Sequence, residues 1–253
     1  LSRLLSVLLS YHFVFAVLSI ALLGLGGGGI LLHLLRSNGR VQQLSGDFSF
    51  WAAVFSLTLP FSFILGLRLG FSFGALDNIF FYGLLFLVPF FLVGILLALF
   101  YREFPADSAR IYGFDLVGAA CGSFACLMFL ERFGLVSTIF LLGILSSGAA
   151  LALAIAKPAG PRKWILPALG FAISVLLFAA DRSGHYRPDV PIGKNPSKEI
   201  HDVLYGPSIR GQIAETRWSA FGRTDLVKLL DYPEQMDIYL DGTAGSPMYR
   251  FNG

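Results

Sequence analysis

Apolar residues run in long unbroken blocks over positions 1–180 and give way to a mixed, partly alternating pattern over 181–253. A hydrocarbon core of about 30 Å takes roughly 20 helical residues to cross, and the blocks supply that length six times. The predicted spans are Tyr11–Leu35, Phe48–Leu69, Asn78–Tyr101, Ile111–Leu130, Leu135–Ala156 and Trp164–Ala180. A tight turn at Glu131-Arg132-Phe133-Gly134 joins the fourth to the fifth. Lipid offers backbone groups no partner outside a helix or a closed barrel, and continuous apolarity argues against barrel strands. The expected fold is an all-α polytopic transmembrane bundle of six spans, followed by the short β-rich start of a soluble domain.

The polar end divides further. Pro188, Pro191, Pro196 and Pro207 mark an irregular linker over 181–210. Three strand-like runs follow at Gln212–Trp218, Thr224–Leu230 and Met236–Asp241, with turns at Ser219-Ala220-Phe221-Gly222 and Tyr232-Pro233-Glu234. Such a sheet is too short to bury a core alone and reads as the opening of a larger domain. The organisation expected is a transmembrane domain over 1–180, a linker over 181–210 and truncated N-terminal strands over 211–253.

Composition sharpens this division. Hydrophobic residues make up 55% and charged residues 14% of the chain, against roughly 25% charged in soluble domains. Residues 1–180 hold ten Lys/Arg and six Asp/Glu, and the remainder holds nine and ten, so charge is concentrated in the tail. A net charge of +3 without a basic run excludes nucleic acid as a partner. The connections after spans one, three and five carry Arg36, Arg40, Arg102, Arg110, Lys157, Arg162 and Lys163, while Arg3, Arg68 and Arg132 lie on the opposite side. Adding the four basic residues at the start of the tail cancels that bias, so Lys/Arg placement leaves the side of the tail open. The chain begins and ends abruptly, at Leu1 and Gly253, and reads as a fragment of a multi-pass protein of a bacterial inner membrane.

Several constellations carry candidate chemistry. Gly24-Leu25-Gly26-Gly27-Gly28-Gly29 satisfies the dinucleotide pattern G-x-G-x-x-G, with Asp47 downstream. It lies inside an apolar span instead of a strand-turn-helix, so Gly24, Gly26 and Gly28 read as a smooth face for helix packing. Gly118 and Gly122 do the same in span four. Asp115 sits near the start of that span, either as a proton or cation ligand or as a carboxylate favoured by the helix N-terminus. His12 and His33 flank span one, roughly 31 Å apart along a helix. That separation suits two haem or pigment ligands, one per leaflet, or two interfacial imidazoles, and the second reading is favoured because no other span carries a histidine. Cys121 and Cys126 face different sides of one helix and read as buried thiols. Pro60 and Pro89 should bend spans two and three, and no metal-ligand spacing is present.

Three stretches resemble the membrane-fused spermidine synthase-like proteins, in which membrane helices precede an aminopropyltransferase-type domain. They are Tyr11-His12-Phe13 with Ala21-Leu22-Leu23-Gly24-Leu25-Gly26, Ile111-Tyr112-Gly113-Phe114-Asp115-Leu116-Val117-Gly118-Ala119-Ala120, and Arg217-Trp218-Ser219-Ala220-Phe221-Gly222-Arg223-Thr224-Asp225-Leu226-Val227 with Tyr239-Leu240-Asp241-Gly242. The resemblance implies a further helix before Leu1. It also implies a nucleotide-type fold after Gly242, with the glycine-rich loop for decarboxylated S-adenosylmethionine and the amine-activating acid beyond Gly253. No catalytic residue and no cofactor site is therefore assigned within the chain. The expected function is the membrane domain of such a transferase. The alternatives are a non-catalytic subunit that docks other membrane subunits through its glycine-rich faces, and a small-solute or polyamine transporter. The lipid bilayer is the expected partner in every case.

Overall fold

A computed structural model describes residues 2–9, 14–37, 48–69, 75–156, 163–186, 188, 190–192, 195–207 and 209–250. These form seven α-helices and four strands. The helices are α1 (Ser2–Leu8), α2 (Val14–Ser37), α3 (Phe48–Leu69), α4 (Ala75–Glu103), α5 (Ser108–Ala156), α6 (Ile165–Arg182) and α7 (Glu199–Tyr205). The strands are β1 (Gly211–Trp218), β2 (Arg223–Leu229), β3 (Gln235–Leu240) and β4 (Thr243–Tyr249). Five helices, all but α1 and α7, are long and apolar enough to cross a membrane, as expected of a multi-pass integral membrane protein.

The expected fourth and fifth spans are the two halves of the 49-residue segment α5, two helices that meet at a kink. The kink lies at Gly134 (φ 79°, ψ 176°), the last residue of the expected turn Glu131-Arg132-Phe133-Gly134, while Glu131–Phe133 keep helical angles. Only glycine tolerates that conformation without strain. The other spans start and stop within a few residues of the sequence boundaries, and α3 and α4 run through Pro60 and Pro89.

The described residues divide into two units. One comprises residues 18–126 and 136–188 and contains the long helices. Its interior is built from close approaches between helices and from aromatic bulk. Leu32, Phe48, Ile95 and Leu99 form one buried cluster, Ala52, Ala53 and Ala150 another. Phe63 meets Phe140 edge-on with centroids 6.5 Å apart. Buried Ser56 and Ser147 are satisfied within their own helices, donating to carbonyls three or four residues earlier.

The second unit gathers residues 1–17, 127–135 and 189–253. Its sheet is an antiparallel meander in the order β1-β2-β3-β4. The fourth strand is an addition to the three expected. Asp241 (φ 50°) and Gly242 (φ 78°) make the two-residue turn that pairs Leu240 with Thr243. An Asp-Gly pair with both φ positive matches the twist of the flanking strands. The core of this unit includes Leu4, Leu5, Val7 and Leu8 of α1, all at most 2% exposed, with Val190, Ile192, Ile200, Val227 and Leu229. The sheet thus completes its core with α1, a segment at the opposite end of the chain, and with α7 from the expected linker.

Candidate functional site

The densest polar chemistry among the described residues lies inside the second unit. β2 alternates strictly, with Arg223, Asp225, Val227 and Leu229 on its buried face. Two of those four positions are charged. Burying them is tolerable only if each charge is paired and hydrogen-bonded; both are paired, although Asp225 Oδ2 accepts no hydrogen bond. The Arg223 guanidinium places Nε 3.0 Å and 2.9 Å from the two Asp225 carboxylate oxygens, and Nη1 donates to the carbonyl of Val190. Thr216 on β1 donates its hydroxyl to the same carboxylate, and Trp218 lays its ring 5.9 Å from Arg223 Cζ.

A second carboxylate joins this pair through the backbone. Asp241, held at the β3–β4 turn, accepts from Arg223 N at 2.8 Å and from the Ser6 hydroxyl of α1 at 2.6 Å. Gly222 fits beside it because a Cβ there would lie 2.7 Å from Asp241 Oδ1. Lys198, only 3% exposed, closes the network by donating to the carbonyls of Ser6 and Asp241, each at 2.7 Å. Burial pulls the Lys198 ammonium below its ordinary pKa, and the nearby Asp241 carboxylate opposes that pull. Around this knot Arg3 donates to the carbonyls of Ala220 and Phe221, Asn195 to that of Leu9, and Gly245 N to Glu199. Burial also pushes the Tyr239 phenol up to about 12, helped by Asp237, to which its hydroxyl donates at 3.3 Å.

Chemically this is a clasp. Its cations and carboxylates are engaged with each other and with carbonyls of distant segments, so they fix α1, the loop before α7 and two strand turns in one geometry. Among the described residues no three His, Cys, Asp or Glu side chains gather as a metal site would require.

The residues singled out in the sequence lie elsewhere. Gly24 and Gly28 abut the backbone of α4: a Cβ at Gly24 would stand 2.7 Å from Phe90 Cβ, and one at Gly28 2.7 Å from Ile95 N. A Cβ at Gly26, Gly118 or Gly122 would meet nothing within 4 Å. Asp115 sits on an exposed stretch of α5, about two turns from Ser108. His33 is exposed on α2, and His12 falls outside the described residues. Cys121 is exposed and Cys126 half-buried, so Cys121 departs from the buried thiol expected of it. An apolar groove of about 400 Å³ runs between α3 and α6, lined by Leu57, Pro60, Phe61, Ile64, Ile173 and Leu177 among others.

In the sequence, Arg223, Asp225 and Asp241 enter only as part of the resemblance, and their pairing in a buried network goes unread. Arg223 and Asp225 two apart on a strand, followed by Val227 and Leu229, were a readable sign of a charged pair on a buried face. Ser6 and Lys198 carried no local sign. No family model, curated protein or solved structure matches this chain.

Proposed function

We propose that the chain is the membrane domain of a spermidine synthase-like integral membrane protein, crossing the bilayer six times. Its β unit would be a rigid base that holds a following aminopropyltransferase-type domain at the membrane. One observation carries this reading: the tail residues on which the resemblance rests converge. Trp218, Gly222, Arg223, Asp225, Asp241 and Gly242 all belong to the knot or its immediate frame. In this reading the tail signature is structural. Decarboxylated S-adenosylmethionine and the catalytic acid belong to the domain that the resemblance places further on.

The count of six is supported by parity. Ser6 and Arg3 of α1 hydrogen-bond residues of the strand turns, which supports a reading in which α1 and the strands share one side of the bilayer. An even number of crossings would then separate them. At about 1.5 Å per residue, the 49 residues of α5 extend about 74 Å, enough for two crossings divided at Gly134. Residues 127–135 belong to the same unit as α1 and the strands, which fits a break on that side.

A second reading, a non-catalytic subunit, is favoured by the first half of α5. Phe114, Val117 and Phe124 are 78%, 61% and 69% exposed there, beside the open Gly118 and Gly122. Stoichiometric co-purification of a second membrane protein, lost on Gly118→Leu, would favour it.

The test of the first reading uses single cysteines at Arg110, Arg132 and Glu234 in a Cys121→Ser/Cys126→Ser background, probed in sealed vesicles with a membrane-impermeant thiol reagent. Arg132→Cys and Glu234→Cys should label from one side and Arg110→Cys from the other. Labelling of Glu234→Cys together with Arg110→Cys would rule out six crossings. The purified chain should transfer no aminopropyl group to a polyamine, and turnover by it would place the catalytic groups here instead.

A further inference from the structure

The β1–β2 turn holds the most exposed large apolar side chain among the described residues, Phe221 at 81%. Its exposure is built in. Ser219 N donates to Gly222 O at 2.9 Å, and Phe221 N donates to the Ser219 hydroxyl at 3.2 Å. The Arg3 guanidinium of α1 grips the carbonyls of Ala220 and Phe221. The turn is therefore fixed from behind while its aromatic ring projects outward. Arg217 lies near the end of β1, four residues before Phe221, its side chain 80% exposed and paired with Glu215, itself 52% exposed. A surface pair of that kind is weak, so the guanidinium can exchange it for a stronger anion.

The surroundings of this tip say what faces it. A Cβ at Gly134 would lie 3.5 Å from Trp218 Cδ1, so the break in α5 and the base of the turn are neighbours within one unit. Apolar helix begins on both sides of that break. Under the six-crossing reading, on which this inference rests, Gly134 sits at the membrane surface, and the turn sits there with it.

We propose that the β1–β2 turn is a membrane-interface anchor. Phe221 inserts at the level of the lipid headgroups, Trp218 lies at the same boundary, and Arg217 binds the phosphate of an anionic lipid. Aromatic rings partition to this layer, and a cation beside an anionic surface adds to the attraction. The occupant is the bilayer itself, because the neighbouring segment leads into two apolar half-helices.

The test places a nitrobenzoxadiazole label on Phe221→Cys in the full chain lacking Cys121 and Cys126, reconstituted in mixed phosphatidylcholine and phosphatidylglycerol vesicles. Glu234→Cys, on the exposed turn after β2, is the reference. A headgroup-level nitroxide lipid should quench the Phe221→Cys label several-fold more strongly than the reference and more strongly than a deep acyl-chain nitroxide does. Quenching equal to the reference would overturn the anchor. So would a label shielded from both nitroxides and from aqueous iodide, since protein would then cover the tip. Arg217→Cys reads the same layer should Phe221→Cys fail to reconstitute. Sidedness at Arg132 and Glu234 separates the two failures. Opposite sides overturn the six-crossing reading and the anchor with it, whereas one shared side with an unquenched tip overturns the anchor alone.

Discussion

Five glycines within Gly24–Gly29 look alike in sequence and meet different surroundings. Gly24 and Gly28, four apart, lie against α4, and Gly94 on that helix returns the approach with Leu25 Cα 2.9 Å from where its own Cβ would be. Gly26 and Gly29 face open space. Gly28→Val should therefore lower the stability of the detergent-solubilised protein by about 1–3 kcal/mol through overpacking. Gly26→Val should leave the thermal unfolding midpoint nearly unchanged, and equal effects would remove the α2–α4 contact as the cause. The small-residue spacing was legible in the sequence, but which pair makes contact depends on a helix that spacing alone does not locate. Within the knot, Arg223→Leu strands the Asp225 carboxylate, which is 0% exposed. Breaking such a pair from one side costs about 3–5 kcal/mol, and removing both partners restores much of the loss. Hydrogen exchange of the β2 amides should report the first change and its reversal in Arg223→Leu/Asp225→Leu. Tyr239 supplies a pH signature of the same unit. Its folded pKa is raised from 10.0 to about 12, so its contribution to stability is complete below pH 10 and is lost as pH rises towards 12. Tyr239→Phe should remove a late-ionising phenol from a tyrosinate absorbance titration and flatten the alkaline loss of stability over that interval.

At the scale of elements, α5 and β4 show what patterning can and cannot locate. The sequence places a turn over Glu131-Arg132-Phe133-Gly134, and the break between the two helical halves of α5 falls on its last residue, while Glu131-Arg132-Phe133, whose side chains favour helix, stay helical. The lasting signal is Gly134, whose φ of 79° and ψ of 176° lie where non-glycine residues are strained. Gly134→Val should cost about 1–3 kcal/mol from backbone strain alone, measured as a lower unfolding midpoint in detergent. Gly148→Ala, in regular helix with its nearest foreign atom 3.9 Å from the added carbon, should be neutral or stabilising. A Gly134→Val protein as stable as the parent would mean that α5 straightens there freely. β4 went unread for a different reason. Gly245, Ser246 and Pro247 are poor strand formers, and only the Asp241-Gly242 turn before them announces a returning strand. The exposed pattern along β4 offered no alternation to detect.

At the scale of the molecule, the division into an apolar and a polar part was legible, and the membership of each was not. The expected transmembrane domain over 1–180 takes in Leu4, Leu5, Val7 and Leu8 of α1, ahead of the first predicted span at Tyr11. They lie instead in the core of the unit that holds the sheet, together with residues about 180 to 225 positions later. Periodicity reports that a residue is buried, and says nothing about which distant segment buries it. The energetic weight of this closure is large. Four fully buried aliphatic side chains at about 1.5–3 kcal/mol each contribute roughly 6–12 kcal/mol, comparable with the whole stability of a small domain. The loss of Ser6 would in addition leave Lys198 and Asp241 each short of a partner. Deleting residues 1–9 from the otherwise intact chain should therefore abolish hydrogen-exchange protection in β2 and β3 while α3 and α6 stay protected in detergent. Leu4→Asp, which keeps the chain length, should do the same more mildly. A sheet that stays protected without α1 would mean that the strands hold their own core, and the parity argument for six crossings would then lose the contact on which it stands.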